Sequence, residues 1–376
     1  MDSEFIEVQE VSYIQNIKNS FIFIPIGLIL FVASFILLWW NEGNSVRRAY
    51  AEDIISKEAI IVDANNIDRK NDLKLVVLRG IVRVDTALSD SILSIDNALK
   101  LRRDIEMYQW RERKETKTQQ NIGGSSTKTT TYSYVKDWST IEFDSDKFKM
   151  SGYSNPKFTL EDKRIIADKA YIGDFVLNSE QIADVGKYEQ VLYLEPIDKN
   201  YKVWGKYYYK LNNPQQPEIG DVRISYEYVP SGKYVSIIGQ QNSDNSISGL
   251  KTSKGEIYLQ YDGDLSLDEM LVKYKHDNVL YVWGMRFLGW LMMCIGLSFL
   301  ISPIISFTRI TPVVEEKDMP YIILAVIAFL LSSVIILLAW IVYRPLLALL
   351  VLILICIGIY FLRRYWQSQK SYFVSD

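Results

Sequence analysis

Cysteine and histidine are almost missing, with two and one among 376 residues. So small a set excludes a disulfide framework and most zinc sites. His276, the single histidine, lies beside an apolar run and leaves none for a Ser-His-Asp triad. It reads as an interfacial polar residue rather than a pH sensor or base. Cys294 and Cys356 lie inside apolar runs, where packing outweighs nucleophilic chemistry. A basic excess is missing as well. Lys and Arg number 42 against 45 Asp and Glu, for a net charge of −3 and a pI near 5.6. That balance argues against a nucleic-acid binder, which carries a basic field. The phosphate-binding and nucleophile-elbow patterns GxxxxGK[ST], GxGxxG and GxSxG do not occur, so no cofactor is expected.

Long uncharged runs are what the sequence has instead. The mean hydropathy of +0.02 averages over apolar ends and a polar middle. Phe21–Trp40 carries no charge and is long enough for a bilayer core of about 30 Å. Acidic residues precede it (Asp2, Glu4, Glu7, Glu10), so it lacks the basic start of a signal peptide and reads as an uncleaved anchor. Phe287–Phe307, with an apolar extension back to Val279, is a second run; Tyr321–Tyr343 is a third. Leu346–Leu362 is a fourth, at the short limit. One helix through the last two would be about 63 Å long, twice the bilayer, so Arg344-Pro345 is read as a tight turn.

The expected fold class is therefore four transmembrane α-helices plus a large extramembrane α+β domain rich in antiparallel sheet. The expected division is a tail over 1–20, spans over 21–40, 279–307, 321–343 and 346–362, the β-rich domain over 41–278, a cytosolic loop over 308–320 and a tail over 363–376. Four spans put both termini on one side. Basic flanks nearly tie: Lys18, Arg309, Lys317, Arg363 and Arg364 face Arg47, Arg48, Lys273, Lys275 and Arg344. Cytosolic termini are favoured because a large first loop translocates regardless of its charge.

Within the large loop, Ser45–Ser56 predicts a short amphipathic helix, and Lys74–Val84 a strand with Gly80 as a possible bulge. Asp104–Arg113 and Thr129–Thr140 predict two arms of a hairpin with a polar Gly-, Ser- and Thr-rich tip. Thr159–Asp184 is expected to be helical, with Thr159 and Ser179 as caps. Val203–Leu211, Val222–Tyr228, Tyr234–Gln240 and Glu256–Tyr261 predict an antiparallel meander. Ser266 and Glu269 form a capping-box pattern that starts a helix running into the second span. Asp262, Asp264, Ser266 and Asp268 imitate the start of a calcium loop, but Leu267 and Lys273 stand where Gly and Glu are needed. No metal site is expected.

Arg286 is the sharpest single residue. An arginine at mid-bilayer costs about 2.5–3.5 kcal/mol on insertion scales. Two readings stand: it snorkels at the rim, or it pairs in the interior with a carboxylate such as Glu42. Gly284, Gly289 and Gly296 allow close approach of another helix to the second run.

Several local strings together resemble one family. They are Asn41-Glu42-Gly43 after the first run, Leu101-Arg102-Arg103 leading to Glu106-Met107-Tyr108-Gln109-Trp110, and Tyr132-Ser133-Tyr134 with Trp138. Asn213-Pro214 and Pro217 lead to Ile219-Gly220-Asp221 and Arg223; Trp283-Gly284, Arg286 and Gly289-Trp290 follow, then Tyr343-Arg344-Pro345-Leu346. In this order they look like the LUMA, or transmembrane protein 43, family. The resemblance implies four spans, cytosolic or nucleoplasmic termini, a luminal domain, and residence in the endoplasmic reticulum and inner nuclear membrane. It also implies an organiser of membrane complexes that self-associates and is linked to lamins and emerin, with no recognised catalytic site. The long acidic N-terminal stretch and the absence of a glycosylation sequon depart from that pattern, and the Ile-, Asn- and Lys-rich composition points to a bacterial member. Its large domain would be periplasmic and its membrane the inner one, and lamin partners would not apply.

The leading functional expectation is a non-enzymatic scaffold that self-associates, with membrane lipids and other membrane proteins as partners and no nucleic acid. Structural or interface roles then fall to Asn41, Glu42, Gly43, Glu106, Tyr108, Trp110, Asn213, Pro214, Trp283, Arg286, Gly289, Trp290, Arg344 and Pro345. A sensor whose β domain binds a lipid or peptide at the bilayer surface is the alternative. A carboxylate-only enzyme and a transporter are weaker readings.

Overall fold

The computed structural model describes residues 4–121, 125–210, 215–308 and 319–372. The chain divides into a β unit, mainly Asp53–Gln119 and Thr127–Lys273, and a helical unit, mainly Val11–Glu52 and the chain from Tyr274 onward.

Two large sheets make the β unit. The first runs in the order Phe5–Val11, Ser126–Ser139, Ala98–Gln120, Val222–Pro230, Tyr207–Tyr209 and Lys202–Trp204. The second runs Phe175–Asn178, Lys169–Ile172, Leu75–Arg83, Tyr234–Gln241 and Ile247–Ser248. Both contribute to one core, in which Val76, Leu78 and Ile237 meet Leu101, Ile105 and Tyr226. The alternation that predicts strands also sorts their faces. Along Leu101–Trp110 the odd positions are buried and the even ones half-exposed, as a period of two requires.

Several expectations are corrected here. Thr159–Asp184 is not helical: it forms strands Lys163–Ile166, Lys169–Ile172 and Phe175–Asn178 before a five-residue helix, Ser179–Ala183. Its cap is Asn178, in a capping box with Gln181, rather than Ser179. Ala170, Ile172, Phe175 and Leu177 are all buried, so sheet packing overrides the helical pattern. The meander is split as well. Val222–Pro230 pairs with Ala98–Gln120, whereas Tyr234–Gln241 pairs with Leu75–Arg83 in the other sheet. The turn between them therefore joins two sheets, not two partners. Gly80 makes no bulge; it pairs in regular register with Val235, and a Cβ there would lie 2.6 Å from Ile172 Cγ2.

In chain order the helices are α1 (Tyr13–Phe21), α2 (Phe23–Glu58), α3 (Ser179–Ala183), α4 (Leu267–Thr308), α5 (Met319–Tyr343) and α6 (Pro345–Tyr372). Ser45–Ser56 is not a separate helix, since α2 continues unbroken from the apolar run to Glu58. The capping box at Ser266 is present: Ser266 N–H donates to Glu269 Oε2 at 2.8 Å and Ser266 Oγ accepts from Glu269 N–H at 3.3 Å. Among the described residues, three helical stretches are long and apolar enough to cross a membrane: Tyr13–Glu58, Leu267–Ile304 and Tyr321–Tyr343. Pro345–Phe361 is a shorter apolar helix. Four full spans become three and a short fourth candidate. Within the segment expected as a tail over 1–20, Phe5–Val11 is hydrogen-bonded beside Ser126–Ser139 in the first sheet. A shared sheet needs both strands on one side of a bilayer, which the expected topology would separate.

Helices α2 and α4 pack closely where small residues meet. A Cβ on Gly296 would lie 2.8 Å from Phe31 N and 2.9 Å from Gly27 O, and one on Gly289 would lie 2.6 Å from Leu38 Cδ2. Small residues permit this approach where lipid supplies no hydrophobic drive. The matched pairs 27 with 296 and 38 with 289 run in opposite directions, so the two helices are antiparallel.

Candidate functional site

Glu42 follows the apolar part of α2 and is fully buried. Burying a carboxylate is tolerable only with partners of matching charge and hydrogen-bonding power. Helix α4 supplies them through Arg286, whose Nε donates to Glu42 Oε1 at 2.8 Å and whose Nη2 donates to Oε2 at 3.0 Å. This is the two-point fork of arginine on carboxylate. Helix α5 adds Trp340, whose Nε1–H donates to Glu42 Oε2 at 2.7 Å. The guanidinium also stacks over two indoles, 4.8 Å from the Trp283 ring centre and 5.7 Å from that of Trp340. Of the two readings of Arg286, the pair with Glu42 is the one the structure adopts.

The neighbouring candidates brace the same place. Asn41 Nδ2 donates to the Val282 carbonyl at 3.2 Å. Gly43 faces Tyr343, and a Cβ there would lie 2.8 Å from Tyr343 Cζ. Trp290 Nε1–H donates to the Ala325 carbonyl at 3.1 Å, tying α4 to α5. Arg344 Nη2 donates to Ser45 Oγ at 2.7 Å. The Arg344 carbonyl caps α6, accepting from Leu347 and Ala348, and Pro345 occupies the first helical position, where its missing N–H costs nothing. Nine of the predicted residues thus form one cluster in the helical unit: Asn41, Glu42, Gly43, Trp283, Arg286, Gly289, Trp290, Arg344 and Pro345. Sequence reasoning missed Trp340 and Gly27. An indole N–H within an apolar run was the available signal for Trp340, because a buried indole usually finds an acceptor.

Glu106, Tyr108 and Trp110 form a different cluster, on the half-exposed face of the Ala98–Gln120 strand. Glu106 Oε2 accepts from Arg223 Nε at 2.7 Å. Arg223 lies 4.4 Å from the Trp138 ring centre and 4.0 Å from that of Tyr207. Tyr108 packs on Trp138 and Trp110 on Tyr153, at 5.3 Å and 4.8 Å between ring centres. On the opposite face the buried Gln109 holds the following loop, donating to the Ile141 carbonyl at 2.6 Å and accepting from Phe143 N–H at 3.1 Å. A polar residue on the apolar phase of the strand was its signal. Asn213 and Pro214 lie outside the described residues.

One buried charge network of the β unit was not foreseen. Arg103 Nη1 donates to Asp90 Oδ2 at 2.7 Å, and Tyr226 O–H donates to the same oxygen at 2.9 Å. Burial and this adjacent carboxylate push the Tyr226 phenol well above its ordinary range. Asp104, raised by burial, is engaged by Arg102, which also pairs with Glu227. Asp264 pairs with Arg79, and Asp262 accepts from Gly186 N–H at 2.8 Å. Among the described residues no group of three or more His, Cys, Asp or Glu is placed to hold a metal ion. A cleft of about 620 Å³ in the β unit is lined by Arg79, Arg83, Tyr171, Tyr234 and Asp174, a polar wall rather than an apolar one.

Apolar helices long enough to span a bilayer, a large two-sheet unit, and a carboxylate–guanidinium–indole cluster on the helices define a multi-span membrane protein with a β-rich extramembrane unit. The family model described as Transmembrane protein 43 matches residues 107–345. Human transmembrane protein 43 is 30% identical over 349 residues, covering 87% of this chain and 86% of the human one. The Drosophila melanogaster homolog is 30% identical over 332 residues, covering 85% and 88%, and the rat protein is 29% identical over 344 residues, covering 85% and 84%. The chain belongs to the transmembrane protein 43 family. No solved structure matches it.

Proposed function

We propose that the chain is a non-enzymatic membrane scaffold that organises membrane protein complexes and self-associates through its β unit. In this reading the β unit, with Phe5–Val11 on the same side of the membrane as the rest of its sheet, faces the extracytoplasmic space. The Ile-, Asn- and Lys-rich composition favours a bacterial inner membrane with the β unit in the periplasm. The observation that carries self-association is the edge of the first sheet. It ends on Phe5–Val11, where Ile6 and Val8 are 57% and 62% exposed. An outer strand of this kind presents free backbone donors and acceptors to another chain. Glu42 with Arg286 and Glu106 with Arg223 are partners in two ion pairs, which fits architecture better than catalysis.

The test is the mass of the native particle in a mild detergent after gentle crosslinking, for the natural chain and for Val8→Pro. A defined oligomer that Val8→Pro dissociates supports the reading, since proline removes a ladder donor and is poorly tolerated in a paired strand. A monomeric natural chain without protein partners refutes it. The polar cleft beside Arg79 and Arg83 favours a second reading, a sensor for a small polar ligand, which that outcome would bring forward.

A further inference from the structure

Between α4 and α5 lies a groove of about 580 Å³. Its long walls are apolar, with Phe287, Trp290, Phe329 and Ile336 among them, and Arg286 and Trp340 close one end. Phe287 and Phe329 are each 60% exposed, on stretches apolar enough to lie in a bilayer. Along α5 the groove runs from Phe329 to Trp340, roughly 16 Å at the helical rise. It thus has the form of a channel for a hydrocarbon chain with a polar mouth. Two of the guanidinium nitrogens of Arg286 are committed to Glu42, so that pair is close to neutral and offers the mouth a hydrogen-bond donor rather than a net charge.

The positive charge sits one step further along. On α2, Ser45 lies about 4.5 Å beyond Glu42 toward the polar end. Its partner Arg344 has a hydroxyl, and among the described residues no carboxylate, to answer its charge. Within about 9 Å of the Glu42–Arg286 pair along these helices the charged residues are Arg47, Arg48, Arg286 and Arg344 against Glu42, a basic excess. Apolar channel, neutral donor and basic rim follow in the order of acyl chain, glycerol ester and phosphate.

We propose that this groove holds one anionic glycerophospholipid as a resident lipid, its acyl chain along Trp290 and Phe329, its ester oxygens at Arg286 and its phosphate at Arg344. The full chain in phosphatidylcholine nanodiscs tests this, with tryptophan fluorescence read as phosphatidylglycerol or phosphatidylcholine carrying brominated acyl chains is titrated in. A saturable quenching component is expected, with phosphatidylglycerol preferred by about fivefold, the effect of one basic residue near an anionic headgroup. Ser333→Phe, which fills the groove wall, should abolish that component without moving the unfolding midpoint. Arg344→Gln should remove the headgroup preference and keep the saturation. Quenching that is linear and equal for both lipids, or unaffected by Ser333→Phe, overturns the proposal. So does protection of the groove tryptophans from every brominated lipid, which would mean that a helix of another chain covers them.

Discussion

Removing Arg286 leaves the Glu42 carboxylate buried with one of its three hydrogen bonds, the one from Trp340. Truncating one partner of a buried ion pair typically costs about 3–5 kcal/mol, because the other charge stays desolvated. Arg286→Leu should therefore destabilise the helical unit by about 3 kcal/mol or more. Glu42→Gln is expected to cost less, since an amide can still accept from Trp340 and the arginine keeps its stacking on Trp283. With both charges removed, in Glu42→Gln/Arg286→Leu, no carboxylate remains to be desolvated. The double variant should recover about 2–3 kcal/mol of the summed single losses. The assay is reversible unfolding in mixed micelles on titration with dodecyl sulfate, followed by tryptophan fluorescence across the four-member cycle. Additive losses, with coupling below about 0.5 kcal/mol, would refute the reasoning and return Arg286 to a solvated rim position.

Three further outcomes are expected. Gly296→Val should cost about 1–3 kcal/mol or part α2 from α4, because its Cβ would meet Phe31 N at 2.8 Å; an unchanged unfolding midpoint would count against that contact. Burial holds the Tyr208 and Tyr258 phenols at about 12, against 10.0 for an ordinary phenol. The folded state thus keeps protons that the unfolded chain has released, so this stability is complete below pH 10 and lost as pH rises toward 12. Absorbance at 295 nm should show these phenols ionising together with unfolding; early reversible ionisation in the folded protein would contradict it. Finally, cysteines placed at Val8 and Ser243 in a Cys294→Ala/Cys356→Ala background should react with an impermeant maleimide from the same side of the membrane, as the sheet containing Phe5–Val11 requires. Labelling from opposite sides would exclude that strand pairing in the membrane and restore the topology with the tail across from the β unit.

The apolar helices, the strand alternation at Glu106–Trp110, the capping box at Ser266 and the strings that mark the family are all legible in the order of residues. All of these are local: a run length, a period of two or a spacing of three is complete within a few residues. The sequence also offered Glu42 as a partner for Arg286 without deciding between pair and rim. Tertiary structure alone decided that choice, because the desolvation that makes the pair necessary depends on α5 closing over it with Trp340. The same holds for the segment Lys163–Asn178, whose helical pattern yields to sheet partners distant in sequence. It holds for the allotment of Val222–Pro230 and Tyr234–Gln241 to different sheets. Such pairings are set by which surfaces meet and exclude water, and no local pattern carries that information.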